Sequence, residues 1–383
     1  MSKKFKKKTI ASKAGIGTDT QYGSIVPPIY LGTNFEYKEL GKEPIYEYTR
    51  QENPTRDLLI KALSDLEEGL GGEILSSGMA AISLVANILE LKSKVILPHD
   101  CYGGTFRLFS SLAEKGIFDV YFLNQGNKSF IEKSIDEINP DLIWIESPSN
   151  PLLQVVDIQE IVKKSKKKNA LVAVDNTFLS PSFQNPLKLG ADIVMHSTTK
   201  YINGHSDVIG GAVITNDAKI LSKLKFWANN LGITGSPFDS YLTLRGLRTL
   251  SLRMKQHEQN ASALVELLSN HPKISHVYYP GLKHHPSHEI AKKQQSGFGG
   301  MLSFEIKNGL SEVKNFVDDL KILSLAGSLG GFESLVGHPY TMTHAALSPK
   351  QKKDIGIKKN LIRISAGLED TEDLLDAVKK ALD

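Results

Sequence analysis

The stretch ADIVMHSTTKYINGHSDVIGGA, residues 191–212, carries the sequence signal that decides the fold. Its apolar run IVM at 193–195, bounded by turn chemistry, predicts the end of a buried strand in a parallel sheet. Ser197, Thr199 and Lys200 follow directly. Because ligands bind beyond the carboxyl ends of strands in open α/β sheets, a desolvated lysine among hydroxyls is a candidate amine nucleophile. The alternative is a solvated lysine in a surface turn.

Composition excludes several classes of protein. The chain has 383 residues, which predicts roughly two domains, and its net charge of +4 predicts no basic face for nucleic acid. No apolar run approaches the ~20 residues that span a membrane. The single cysteine, Cys101, suits a reducing compartment and leaves no cysteine-based metal site. We therefore expect a cytoplasmic protein that holds no metal and binds neither nucleic acid nor membrane.

The pattern along the chain predicts an α/β fold. Residues 1–55 contain many prolines and glycines and few periodic signals, which predicts an extended arm. From 56 to about 211, strand and helix signals alternate, which predicts a mostly parallel sheet wrapped by helices. The strand candidates are Glu73–Leu75, Val95–Leu97, Phe118–Phe122, Leu142–Ile145, Leu171–Val174 and Ile193–Met195.

The last third of the chain predicts a second, smaller unit. A long helical stretch, roughly Asp239 to Leu268, precedes three more strand candidates. We place the boundary inside that helix, which gives a large domain at 56–245 and a smaller C-terminal α+β domain at 246–383. The strand candidates of the smaller domain are Val277–Tyr279, Met301–Ile306 and Leu361–Ile364.

Side chains suited to one ligand follow several predicted strands. Ser77, Gly78 and Met79 open a helix, where free amides and a glycine favour a phosphate, although a plain helix cap explains them equally. Tyr102, beside two glycines, could stack on a flat ring, or it is an ordinary loop tyrosine. Asp175 could pair with a pyridine nitrogen, or it forms an Asx turn.

Together these residues describe pyridoxal 5′-phosphate, joined to Lys200 as a Schiff base. Asn150, in a turn bounded by prolines, is a weaker candidate that could hold a carboxylate or a cofactor oxygen. The predicted cofactor contacts within this set are Ser77, Gly78, Met79, Tyr102, Asp175, Thr177, Ser197, Thr199 and Lys200.

At these residues the sequence resembles the Cys/Met-metabolism family of pyridoxal-phosphate enzymes, and within it the cystathionine γ-synthase branch. The resemblance covers essentially the whole chain. The motifs that carry it are YEYTRQENPTRD (46–57), SSGMAAI (76–82), PHDCYGGTFRLF (98–109), ESPSNPLLQVVDI (146–158), VDNTFLSP (174–181), HSTTKYINGHSDVIGG (196–211), WANNLGITGSPFDSYLTLRGLRTL (227–250) and SLGGFESLVGHPYTMTHA (328–345).

The resemblance implies an aminotransferase-like (type I) pyridoxal-phosphate fold and a homotetramer, a dimer of dimers, with active sites shared between subunits. In the family, a pair here represented by Tyr48 and Arg50 reaches the cofactor phosphate of the neighbouring subunit. A guanidinium fork and a phenol suit a phosphate dianion. On the residues alone, Arg50 is a surface arginine.

The resemblance also implies the substrate contacts. It assigns Arg363 to the α-carboxylate of an amino-acid substrate, whereas the residues alone favour a surface ion pair with Glu369. It puts Ser328 against the Schiff-base lysine and Glu333 near the side chain of the substrate. Arg107 is a candidate for holding a second carboxylate.

The activity implied is a γ-replacement in methionine biosynthesis, in which L-cysteine displaces succinate from O-succinyl-L-homoserine to give L-cystathionine. Lys200 would act as general base, and Tyr102 would assist proton transfer. Gln51 follows Arg50 where some succinyl-using synthases carry a second arginine, so an O-acetyl donor stays open. A cystathionine γ-lyase is the alternative reaction, and a non-catalytic regulatory protein on the same fold is the alternative of another class.

Overall fold

The computed structural model describes residues 5–345 and 347–383. The first four residues of the predicted arm lie outside the described residues. The strands are β1 (Gly71–Leu75), β2 (Lys94–Pro98), β3 (Asp119–Leu123), β4 (Leu142–Glu146), β5 (Leu171–Asp175), β6 (Ile193–His196), β7 (Gly211–Thr215), β8 (Ile274–Tyr278), β9 (Met301–Ile306), β10 (Ser324–Leu325), β11 (Leu335–Gly337) and β12 (Leu361–Ser365).

Helices surround both groups of strands. They are α1 (Lys7–Ser12), α2 (Pro54–Glu67), α3 (Gly78–Asn87), α4 (Gly103–Glu114), α5 (Lys128–Ile138), α6 (Ile158–Lys166), α7 (Ser180–Phe183), α8 (Ala218–Leu231), α9 (Pro237–Leu247), α10 (Leu250–Ser269), α11 (His288–Gln294), α12 (Leu310–Asp319), α13 (Pro349–Asp354) and α14 (Thr371–Leu382).

The large unit is built on a seven-stranded sheet in the order β1-β7-β6-β5-β4-β2-β3. Strands β2 to β6 pair in parallel, and β7 runs antiparallel to both of its neighbours. Residues of β4 are buried throughout, as expected for a strand covered by helices on both faces. The predicted mostly parallel sheet wrapped by helices is therefore confirmed, and the carboxyl ends of β4, β5 and β6 meet at one edge.

The smaller unit is built on a five-stranded sheet in the order β10-β11-β12-β9-β8. Strand β12 lies inside this sheet, antiparallel to β9 and β11. One core cluster joins apolar residues of α10, α12 and α14 to the sheet, which makes an α+β unit as predicted. None of the described helices combines the length and apolar character needed to cross a membrane.

The helix predicted from Asp239 to Leu268 is in fact two helices, α9 and α10. The carbonyl of Gly246 accepts the Thr249 N–H at 3.2 Å and the Arg253 Nη2 at 2.8 Å. In a continuous α-helix that carbonyl would bind the N–H four residues later. The helix is therefore interrupted where the Arg253 side chain occupies the Gly246 carbonyl.

The N-terminal segment is only partly an extended arm. Residues 7–12 form α1, which docks on the body: Ala11 is 1% exposed and Lys7 Nζ donates to the Pro181 carbonyl at 2.7 Å. Residues 18–53 contain a single bridge, between Asn34 and Tyr48, and no helix or strand. The prediction of an extended arm is wrong for α1, which is a docked helix.

Candidate active site

A cavity of about 420 Å³ opens at the carboxyl ends of β4, β5 and β6, closed on one side by β12. This volume is in the range of small-molecule sites. All but three of the residues predicted for the site line it. They are Ser77, Gly78, Met79, Tyr102, Arg107, Asn150, Asp175, Thr177, Ser197, Thr199, Lys200, Ser328 and Arg363.

Lys200 lies in the turn that follows β6 and points its amine into the cavity. Its carbonyl accepts the Gly204 N–H at 2.8 Å, which closes the turn, and its Nζ donates to Ser328 Oγ at 2.5 Å. Burial, with a smaller contribution from the Arg363 charge, lowers the pKa of Lys200 to about 8. Since the neutral amine is the nucleophilic form, this lysine is far more reactive near neutral pH than a solvated one.

Asp175 ends β5 beside that turn. Its side chain is 8% exposed, and its Oδ1 accepts the Thr177 N–H at 3.0 Å. Burial raises the pKa of Asp175, because a carboxylate loses solvation there. A cationic ring nitrogen placed against it would restore the charged form, which is the pairing that a pyridoxal ring requires.

The start of α3 forms an anion cradle opposite Lys200. Ser77 caps the helix by accepting the Ala80 N–H at 3.0 Å, and the amides of Gly78 and Met79 have no partner inside the helix. A Cβ at Gly78 would lie 2.9 Å from Cβ and Oγ of Ser197, so only glycine allows this close approach. Free amides at a helix start favour a phosphate.

Two hydroxyls complete this wall. Thr177 Oγ1 accepts the Ser197 N–H at 2.9 Å, which ties the ends of β5 and β6 together. Thr199 Oγ1 accepts the Gly210 N–H at 3.0 Å and donates to the Gly210 carbonyl at 3.2 Å. A phosphate contact by Thr199 therefore requires its hydroxyl proton to turn away from Gly210.

Tyr102 covers the cavity, and a residue that sequence reasoning missed holds it there. A Cβ at Gly104 would lie 2.4 Å from the Tyr102 ring, so a larger residue at position 104 would push the ring out of this position. The Tyr102 N–H donates to Glu146 Oε2 at 2.7 Å. Glu146, in register with Asp175, is 6% exposed, and burial beside that carboxylate raises its pKa. A carboxylate ending an apolar strand was the available signal.

Arg363 reaches the cavity from the small unit. It is 3% exposed, and its Nη1 donates to Asn150 Oδ1 at 3.1 Å and its Nη2 to the Ser328 carbonyl at 2.7 Å. Glu369 instead accepts hydrogen bonds from Ser334, so the alternative of an ion pair with Glu369 is wrong. Among the described residues Arg363 has no carboxylate partner, and a buried fork of this kind suits a carboxylate ligand.

Three predicted residues lie outside this cavity. Tyr48 and Arg50 line a separate cleft of the arm, where Arg50 Nη1 donates to the carbonyl of Asn229 at 3.0 Å. Within one chain they do not reach the cofactor pocket. The carboxylate of Glu333 accepts the Ser206 hydroxyl proton, with its two oxygens 2.8 and 2.9 Å from Ser206 Oγ, and Glu333 is absent from the cavity lining.

Pyridoxal 5′-phosphate fits these residues. Lys200 offers an amine of lowered pKa, Asp175 a buried carboxylate at the neighbouring strand end, and the start of α3 at Gly78 packs closely enough against Ser197 to form a phosphate site. Fold and cavity thus define a pyridoxal-phosphate enzyme of the aminotransferase-like (type I) class. The chain belongs to the family described as Cys/Met metabolism PLP-dependent enzyme, whose profile matches residues 8–383. The predicted family, fold and cofactor are confirmed.

Individual relatives carry more than one activity name. The chain is 47% identical to a cystathionine gamma-synthase of Escherichia coli (strain K12), over 97% of this chain and 96% of the relative. It is 46% identical to a cystathionine beta-lyase of Lactococcus lactis subsp. cremoris (strain MG1363), over 98% of each. A crystal structure of cystathionine gamma synthase from Xanthomonas oryzae pv. oryzae, in complex with aminoacrylate and cysteine, matches with a TM-score of 0.97 at 50% identity, over 99% of this chain and 98% of that one.

Proposed function

We propose that this enzyme is a cystathionine γ-synthase. It replaces the succinyloxy group on the γ carbon of O-succinyl-L-homoserine with the sulfur of L-cysteine, and releases L-cystathionine and succinate. The choice of a succinyl over an acetyl donor rests on a pair of guanidinium groups, Arg363 and Arg107, in one cavity. Two cationic forks suit the two carboxylates of a succinylated amino acid, whereas an acetylated donor has only one. The choice of a synthase over a lyase, whose substrate cystathionine also has two carboxylates, rests on the similarity to the solved cystathionine gamma synthase.

Arg363 and Asn150 hold the α-carboxylate of the substrate in this proposal. The Arg363 fork is already oriented by Asn150 Oδ1 and the Ser328 carbonyl, so little side-chain entropy is lost on binding. Arg107 is exposed at the rim of the cavity and forms no ion pair within the described part of the chain. It is therefore available for the distal carboxylate.

Lys200 moves the protons. When bound, the cofactor supplies an electron sink for the carbon next to the amino group. Lys200 Nζ, positioned by Ser328 Oγ, would be the base for that carbon, and its pKa of about 8 suits both taking and returning a proton near neutral pH. Asp175 would pair with the ring nitrogen and keep it protonated, and Tyr102 would contact the ring face and assist proton transfer.

A homotetramer in the cytoplasm, with active sites shared between subunits, is part of the same proposal. The arm exposes large apolar side chains, among them Leu40 at 101%, Ile45 at 87% and Ile25 at 70%. An apolar surface of this kind marks a contact with another chain. A second copy that covers the arm would bring its Tyr48 and Arg50 toward this cavity.

The test supplies three substrates to the purified holoenzyme and identifies the products. We expect cystathionine from O-succinyl-L-homoserine plus cysteine, faster than from the O-acetyl ester. Arg107→Lys should raise KM about tenfold for the succinyl ester, since it loses a bidentate contact, and leave the acetyl ester unchanged. Faster release of 2-oxobutyrate and cysteine from cystathionine alone would identify a γ-lyase and overturn the proposal.

A further inference from the structure

Helix α10 carries a row of buried polar side chains where the two units meet. Arg253, His257 and Asn260 are four and three residues apart, so they share one face of the helix. Their exposed fractions are 6%, 0% and 0%. Burying polar groups is unfavourable unless each finds a partner, so the partners reveal what this polar face of α10 holds.

Arg253 holds the turn that carries the cofactor lysine. Its Nη1 donates to the Tyr201 carbonyl at 2.7 Å and its Nη2 to the Ile202 carbonyl at 3.3 Å, the two residues directly after Lys200. Among the described residues Arg253 has no carboxylate partner. A Cβ at Gly204 would lie 1.9 Å from Arg253 Nη1, so the turn and the guanidinium fit closely. Its Nε donates to Thr249 Oγ1 at 3.0 Å and its Nη2 also donates to the Gly246 carbonyl at 2.8 Å, so apart from this one hydroxyl the guanidinium binds main-chain oxygens.

His257, four residues after Arg253 on α10, contacts the same lysine turn. Its ring packs edge-on against the fully buried ring of Tyr201, with centroids 5.0 Å apart. Its Nδ1 donates to the Ala366 carbonyl at 2.7 Å. Burial lowers the pKa of His257 to about 4, so the ring is neutral at neutral pH and contributes shape and one hydrogen bond.

Asn260 holds the segment that follows β12. Its Nδ2 donates to the carbonyls of Gly367 at 3.0 Å and Glu369 at 2.9 Å. These residues lie in the connection between β12, which contains Arg363, and α14. The polar face of α10 therefore hydrogen-bonds to two backbone segments: the turn after Lys200 and the connection after the strand that contains Arg363.

We propose that Arg253, His257 and Asn260 are positioning residues that set Lys200 and Arg363 at the correct separation and orientation for one substrate. The two groups come from different sheets, and α10 is the helix that binds both of their backbones. This inference rests on the roles given to Lys200 and Arg363 in the proposed function. Small misplacements of reacting groups have large kinetic costs, so a buried polar face that fixes both backbones would contribute to turnover.

The lysine end is tested by Arg253→Met and Arg253→Lys in the holoenzyme. The pH midpoint of the cofactor's visible absorption band reports how tightly the Lys200 nitrogen holds its proton. We expect this midpoint to rise by about one pH unit in Arg253→Met, because a loosened turn lets that nitrogen become solvated. We expect kcat to fall about 100-fold. Arg253→Lys keeps the charge without the fork and should shift both in the same direction.

The carboxylate end is tested by Asn260→Leu and Asn260→Ser. Both changes remove the two hydrogen bonds to the segment after β12 and the one that Asn260 Oδ1 accepts from Thr371 Oγ1, and they leave the contacts of Arg253 with the lysine turn in place. We expect KM for O-succinyl-L-homoserine to rise about tenfold, with the visible-band midpoint unchanged. Arg248→Lys is the matched control, since Arg248 lies at the same junction but donates to the Ala14 carbonyl instead. It should move neither quantity.

The outcomes separate this inference from the proposed function. If Arg253→Met does not fold, Arg253→Lys decides alone. A wild-type midpoint and kcat in the folded Arg253 variants would overturn the inference, as would an equal shift in Arg248→Lys. A borohydride label on a lysine other than Lys200 in the wild-type enzyme would instead remove the assignment of the site on which the inference depends.

Discussion

The strand-end site and the N-terminal arm are built in opposite ways. Asp175 ends a strand that is paired on both sides, and Lys200 lies in the hydrogen-bonded turn after β6, so one chain fixes the backbone of both. Residues 18–53 of the arm have one bridge, and Leu40 and Ile45 are almost wholly exposed. Both regions carry residues assigned to the same cofactor, yet only one of them is completed within a single chain.

The difference shows which contacts a chain can organise alone. Strand ends converge because the sheet is parallel, so side chains far apart in sequence meet without any further element. In the arm, Asn229 of the same chain holds Arg50 away from the cavity, and Leu40 and Ile45 stay exposed, so a second copy would have to supply the missing contacts. Each of the following changes tests one side of this comparison.

Replacing the amine of the strand-end site should have the largest effect. Lys200→Ala should lower kcat by about 10⁴-fold even with the cofactor resupplied, because the general base is gone. Product formation in the presence of excess pyridoxal 5′-phosphate measures it. Lys61→Ala, which removes a surface lysine paired with Asp65, should keep wild-type turnover. Substantial activity in Lys200→Ala would refute the role of the strand-end lysine.

Arg363→Lys should affect substrate binding rather than the amine. It keeps a positive charge but loses the fork that Asn150 orients, so we expect KM for the amino-acid substrate to rise about 10- to 100-fold. Steady-state kinetics at saturating cysteine gives the split between KM and kcat. An unchanged KM would mean that the α-carboxylate binds elsewhere.

The arm is tested by mixing two inactive chains. If Arg50 serves the neighbouring site, co-expressed Arg50→Ala and Lys200→Ala chains should regain about a quarter of the wild-type sites by random pairing, because half the mixed dimers' sites receive two intact residues. Either variant expressed alone supplies the baseline. Mixed preparations no more active than the separate ones would place Arg50 in its own subunit's chemistry or in none.

A pH dependence follows from the lowered pKa of Lys200. The apoprotein should recombine with pyridoxal 5′-phosphate at a rate that rises with pH and levels off above about 8, since the neutral amine reacts. In the unfolded chain this lysine keeps its proton up to its ordinary pKa of 10.5. The unfolded state therefore binds more protons between these values, and the contribution of Lys200 to apoprotein stability should increase with pH across that window.

A rate still rising steeply at pH 10 would mean that Lys200 is solvated. Stopped-flow absorbance of the recombination, with parallel denaturant unfolding of the apoprotein at pH 8 and 10, measures both quantities. Lys200→Ala is the control for the second measurement, because it should remove this part of the pH dependence.

The sheet and the strand-end residues could be predicted because each depends on a local pattern. An apolar run followed by a polar residue predicts both a strand and its functional end, as at Asp175 and Lys200. Glu146 fits the same pattern, but the proline-rich turn that follows it favours Asn150 as the functional residue. Both carboxylates prove to line the cavity.

Other features depend on contacts between distant segments, and no local pattern reveals them. Helix α10 breaks from α9 because Arg253 takes the Gly246 carbonyl, a competition that periodicity does not register. Segment α1 docks through Lys7 and the Pro181 carbonyl, far apart in sequence. From the sequence, Arg363 is expected on the surface; in the structure, Asn150 and the small sheet bury it.

The central claim is that the cofactor is covalently joined to Lys200 at the end of β6. Borohydride reduction of the holoenzyme followed by tryptic peptide mass spectrometry tests it most directly. We predict one phosphopyridoxyl group per chain, on a peptide spanning residues 189–219 that trypsin leaves uncut at Lys200. A label on any other lysine, or a reduced protein with Lys200 unmodified, would contradict the account.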